Sequence, residues 1–134
     1  IKLEKYCQVI NIEVNTMIEM VNRDILPSAF KYMNLLADTE FKMQRVLTLC
    51  DAGLNMMKKF NTLINDLAHE AEKLGQLHEE VKVIPDLMKK AHGYAKKILP
   101  QMEIVRSIGD QIEPLLGQEY KPFPSYEDLL YSVQ

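Results

Sequence analysis

The side chains able to do chemistry in this chain are few and scattered. His69 follows Asp66 by three positions and precedes Glu70 and Glu72. On a helix, residues three apart share a face and can aim two ligands at one metal ion. A carboxylate-bridged metal site in a helical bundle needs a Glu-x-x-His on each of two helices, and neither that motif nor His-Glu-x-x-His occurs. His69, His78 and His92 are therefore read as structural or solvated residues at the edges of apolar stripes. Cys7 and Cys50 lie 43 positions apart without a Cys-x-x-Cys, which fits reduced thiols better than a disulfide framework. Both are read as small, inert core residues. A phosphate-cradling loop needs glycines close together, whereas Gly53, Gly75, Gly93, Gly109 and Gly117 are far apart. Nucleophile systems assembled only in space stay open at this point. No residue is assigned a catalytic, cofactor-binding or metal-binding role.

The elements that carry these residues read as helices. Leu3, Tyr6, Ile10, Val14, Met17, Val21, Ile25, Ala29, Tyr32 and Leu36 recur in steps of three and four, the spacing of one helical face. A second set, Ile18, Leu26, Phe30 and Met33, widens the stripe, so this helix should touch neighbours on two sides. Asp38 or Thr39 is placed to cap a second helix beginning near residue 40. Its stripe is Val46, Leu49, Met56, Phe60, Leu63, Leu67, Leu74, Leu77 and Val81, with Leu47, Cys50, Leu54, Met57, Ile64, Ala68 and Ala71 beside it. Pro85 disfavours helix at the residue before it and suits the first turn of a third helix. That helix carries Leu87, Ala91, Tyr94, Ile98, Met102, Val105, Ile108, Ile112 and Leu115.

The expected fold is all-α: an antiparallel up-down-up bundle of three long helices at about residues 2–36, 40–82 and 85–117, plus a short helix near 125–132. One domain is expected over residues 1–134, and the initial Ile leaves room for the chain to be a piece of a larger one. The triplet Ile-Leu-Pro occurs twice, ending at Pro27 and Pro100. A proline inside a helix removes a hydrogen bond and crowds the preceding turn, costing about 3 kcal/mol. Because the apolar spacing continues through both, each is expected to kink its helix rather than end it.

A formal net charge of -3, with lysines in scattered pairs, gives no basic stripe for nucleic acid or anionic membrane. No apolar run reaches the roughly 20 residues of a membrane span, and the first residues lack signal-peptide architecture. The expectation is a cytoplasmic protein. The eight methionines read as core filling in preference to an adaptable partner groove. Tyr120, Pro122, Phe123, Pro124, Tyr126, Leu129 and Leu130 form a candidate interaction surface near the end of the chain. It could fold back over the bundle or dock on a neighbouring domain, and the sequence favours neither.

Two stretches carry a family resemblance. INIEVNTMIEMVNRDILPSAFKY, from Ile10 to Tyr32, resembles the stretch that leads into the C-terminal helical region of class III glutamine synthetases. ILPQMEIVRSIGDQIEPLLGQEYKPFPSYEDLLYSV resembles that family's closing segment. Val14-Asn15 and Lys121 depart from the usual pattern, and the middle of the chain adds only heptad periodicity. The resemblance implies a parent enzyme that ligates ammonia to glutamate with ATP and a divalent metal, Mg or Mn, in a large homo-oligomer. The parent's nucleotide and metal ligands lie upstream, so no cofactor and no catalytic residue is carried over here. The implied role is non-catalytic packing against the rest of its own chain and neighbouring subunits. A free-standing helical interaction module is the alternative, followed by a metal-dependent bundle enzyme.

Overall fold

The computed structural model describes residues 2–46 and 51–122. Helix α1 spans Lys2–Met20, a π-helical turn covers Val21–Ile25, and α2 continues over Leu26–Val46. Helix α3 spans Asp51–Lys82 and α4 Leu87–Gly93; a second π turn, Tyr94–Ile98, leads into α5 at Leu99–Ile112. Two 3-10 turns come next, Glu113–Leu115 and Gln118–Tyr120. The protein is all-helical, with no strand among the described residues.

The first helix runs to Val46, past the break expected between residues 36 and 40. The two residues expected to cap a new helix are used inside the old one. Thr39 donates its hydroxyl to the Leu35 carbonyl at 2.8 Å, and Asp38 pairs with Lys42 at 3.0 Å. Both are i to i+4 arrangements that a continuing helix offers, and the segment holds no Gly or Pro to stop it. Val46, expected in the core stripe of the second helix, therefore sits on the first and is 79% exposed. Phe30 is likewise exposed, while Leu26 of the same set is buried. Leu47, Leu49 and Cys50 lie outside the described residues, as does the short helix expected near 125–132.

The third long element begins at Leu87, two residues after the expected start. Asp86, in extended conformation, accepts a hydrogen bond from the Lys89 backbone N–H at 2.9 Å, so the cap comes after Pro85. Toward the other end α5 stops at Ile112, and Pro114 sits in the tighter 3-10 turn. Gly117 is extended and not left-handed. Its value is closeness: a Cβ there would stand 3.1 Å from the Tyr32 ring.

Each π turn directly precedes a Leu-Pro pair. The Leu26 N–H reaches back five residues to the Val21 carbonyl, and the Leu99 N–H reaches back to Tyr94. Each turn includes the residue four before the proline, Arg23 or Lys96, whose carbonyl the proline ring would crowd in a regular α-helix. Widening the helix by one residue at that place lets it pass the proline and continue.

Helix α3 is the central element, touching α1, α2, α4 and α5. Phe60, Leu67 and Leu74 on α3 have no exposed surface, nor do Val14, Ala29, Ile98 and Ile112. Side chains meet in ordered pairs along these helices. Glu40 lies beside Gly53, Tyr32 against Phe60, and Ile18 over Gly75. Farther on, Gln101 meets Glu70, Tyr94 meets His78, and Ile25 approaches Gly109.

Candidate functional site

Polar groups inside the core are held by specific partners. His78, only 3% exposed, shares a hydrogen bond of 3.1 Å between its Nε2 and the Tyr94 hydroxyl. Burial pushes the His78 pKa down, nearby Lys82 adds to this, and Glu79 opposes it. With the ring neutral and its proton on Nδ1, the Tyr94 hydroxyl donates to Nε2. Burial, with a smaller contribution from Cys7, raises the Tyr94 pKa, so the phenol stays protonated. This pair has the chemistry of a core lock: it is enclosed, and its two polar atoms satisfy each other.

Gln101 is the second such group. Its Nε2 donates to the Glu70 carbonyl at 3.0 Å and to the Glu70 Oε2 at 2.6 Å, tying α5 to α3. Gln101→Leu keeps the volume and leaves a half-buried carboxylate without this donor, a loss of about 1–3 kcal/mol. The expected result is a Tm several degrees lower with unchanged helicity in the far-ultraviolet circular dichroism.

His69 and His92 are exposed, and no group of three or more His, Cys, Asp or Glu residues within the described chain is arranged to hold a metal ion. Cys7 is buried in the core cluster. Of the methionines, Met102 is buried, Met88 and Met20 are exposed, and the others that the structure describes are half-buried.

An apolar groove of about 570 Å³ lies between the first long helix and the last. Met17, Met20 and Ile25 form one wall; Met102 and Leu116 form the other, with Pro122 also lining the groove. The π turn at Val21–Ile25 contributes both its end residues to this surface. Charged groups also line it: Glu13 on α1, Arg106 and Asp110 on α5, and Glu113 in the turn after α5.

Of the candidate interaction surface, Tyr120 is half-buried and packs on Tyr32 with ring centroids 5.3 Å apart. Pro122 lines the groove. Phe123, Pro124, Tyr126, Leu129 and Leu130 lie outside the described residues. A separate exposed set on α2 is not evident from the sequence: Phe30 at 55%, Phe41 at 58% and Val46 at 79% exposure. The Arg45 guanidinium sits 4.7 Å from the centre of the Phe41 ring. The one signal for Phe41 is that it is a large aromatic lying outside every apolar stripe.

Residues 1–44 match the family model for the glutamine synthetase C-terminal domain. A glutamine synthetase of Butyrivibrio fibrisolvens is 24% identical over the whole of this chain. One from Bacteroides fragilis is 25% identical, and a type-3 glutamine synthetase of Dictyostelium discoideum 23%, each over 98% of the chain. The chain spans only 19% of the length of each of these relatives. The resemblance read from the two ends of the sequence is thus borne out: the chain matches the C-terminal part of glutamine synthetases of the type-3 kind.

Proposed function

We propose that this chain is the non-catalytic helical end of a class III glutamine synthetase subunit, serving to pack against the catalytic body and against neighbouring subunits. The observation that carries the reading is the alignment of the whole chain with about a fifth of each relative. Ligation of ammonia to glutamate, with ATP and a divalent metal, belongs in this reading to the remainder of a large cytoplasmic homo-oligomer. The exposed Phe30 and Phe41 support it, since positions 11 apart on a helix fall within about 20° of the same face and large exposed apolar side chains on one face suit a surface that meets a partner.

An up-down-up course of the three long elements belongs to the same proposal. Along α1, α2 and α3 the paired residue numbers run in opposite directions, 18 with 75, 32 with 60, and 40 with 53. Between α3 and the last element they do so again, 78 with 94 and 70 with 101. A bend at Pro27 and at Pro100 would fit the apolar faces to a curved body, and the π turns before them are consistent with it. No helix of the described residues is long and apolar enough to cross a membrane.

The test is made in the full-length parent enzyme. Phe30→Ser combined with Phe41→Ser should leave the fold intact, because both side chains are exposed, and should shift the particle to smaller species in light scattering. An unchanged particle mass across a hundredfold dilution would overturn the assembly role for this face.

A further inference from the structure

The corner between α3 and α4 exposes apolar side chains where a solvated turn would carry polar ones. We infer that this end of the helices docks on the preceding part of its own subunit, an inference that rests on the reading of the chain as the end of a class III glutamine synthetase.

The corner reads KVIPDLMK, from Lys82 to Lys89. Val83 is 69% exposed and Met88 65%, and Leu87 between them in sequence is exposed as well. Single exposed apolar residues are ordinary, whereas three within six positions form a patch. The corner that holds them is ordered. Ile84 turns inward toward Gly93, and its N–H bonds to the Val81 carbonyl at 3.1 Å. The carboxylate and the carbonyl of Asp86 accept from the N–H groups of Lys89 and Lys90, each at 2.9 Å. A patch fixed in this way loses little conformational freedom when it is covered.

Its position in the fold points to the occupant. Helix α1 touches α4, and the approaches of Cys7 to Tyr94 and of Ile25 to Gly109 run in one direction along the first and last elements. The start of α1 therefore stands beside the corner, with Leu3 and Tyr6 already packed on the core. The relatives are matched at their C-terminal part, over 19% of their length, so about four fifths of the subunit precedes Lys2 and joins the chain next to this patch. Tethering there favours contact with that portion over contact with a separate molecule. The charges near the patch that make no ion pair among the described residues are Lys2, Lys5, Lys89 and Lys90 against Glu4 and Glu80. The surface that fits it is apolar at its centre and acidic at its rim.

The test uses the full-length parent enzyme, with p-benzoylphenylalanine in place of Met88 and, separately, in place of Phe41. After irradiation the probe at Met88 should give a product of single-subunit mass on a denaturing gel, its linked peptide lying upstream of Ile1. Val83→Asp beside the probe should lower that product about tenfold, because a charge is not readily buried without a partner. Both side chains are exposed, so neither change disturbs the fold. A product of two-subunit mass, linkage confined to residues 1–134, or an undiminished yield with Val83→Asp would overturn the proposal. So would an unlinked probe at Met88. If Phe41 still links, only the docking of this corner is refuted; if neither position links, the packing role of the whole chain is refuted with it.

Discussion

Phe60→Ala is expected to lower stability by about 3–5 kcal/mol, the range for a large aromatic removed from a sealed core. Phe60 has no exposed surface and lies on α3, the helix that touches most of the others. Its ring meets Tyr32 edge-on with centroids 5.5 Å apart, and Tyr32 in turn carries Tyr120 at 5.3 Å. The loss therefore goes beyond a cavity, because the 3-10 turn Gln118–Tyr120 is anchored through the same rings. Urea unfolding should show a reduced midpoint, and the near-ultraviolet tyrosine signal should weaken, there being no tryptophan to mask it. Phe60→Leu should recover more than half of the stability. A cost below about 1 kcal/mol for the alanine variant would contradict the central placement of this ring.

Tyr94→Ala should cost a similar amount, about 3–5 kcal/mol, since Tyr94 is only 1% exposed. Tyr94→Phe separates the hydroxyl from the ring. It leaves the buried His78 Nε2 without its partner and should cost about 1–3 kcal/mol. The same pair makes stability depend on pH. Burial lowers the folded pKa of His78 below its ordinary 6.5, so the folded state favours the neutral ring while the unfolded chain takes up a proton near 6.5. The contribution is present above 6.5 and is lost as pH falls through the lower folded value. Thermal melts between pH 8 and pH 5 should show a falling Tm in the parent chain and a flatter profile in His78→Gln. Equal slopes would remove His78 as the source.

The helical class, the stripes and the family were legible in the sequence because each is a local property. Steps of three and four describe one face of one helix whatever surrounds it. Val14, Phe60, Leu67, Ile98 and Ile112 were named from spacing alone and are fully buried. The motifs at the two ends were likewise contiguous letters. The first helix boundary misled because Asp38 and Thr39 serve a cap or a continuing helix equally well, and only the i to i+4 bonds they make decide between them.

Composition and spacing suffice to make the chain helical, to name most of the residues that face inward, and to show which family it resembles, whereas Phe30 and Val46 were placed in stripes and are exposed. Which polar groups those faces enclose is settled only when the helices pack. His78 and Gln101 lie on or beside apolar stripes, yet nothing in their own neighbourhoods says that Tyr94, 16 positions on, or Glu70, 31 positions back, will complete them. The groove has the same origin. It exists because the π turn before Pro27 and the end of α5 stand side by side, and the rotation and register of one helix against another are fixed by packing across the whole core.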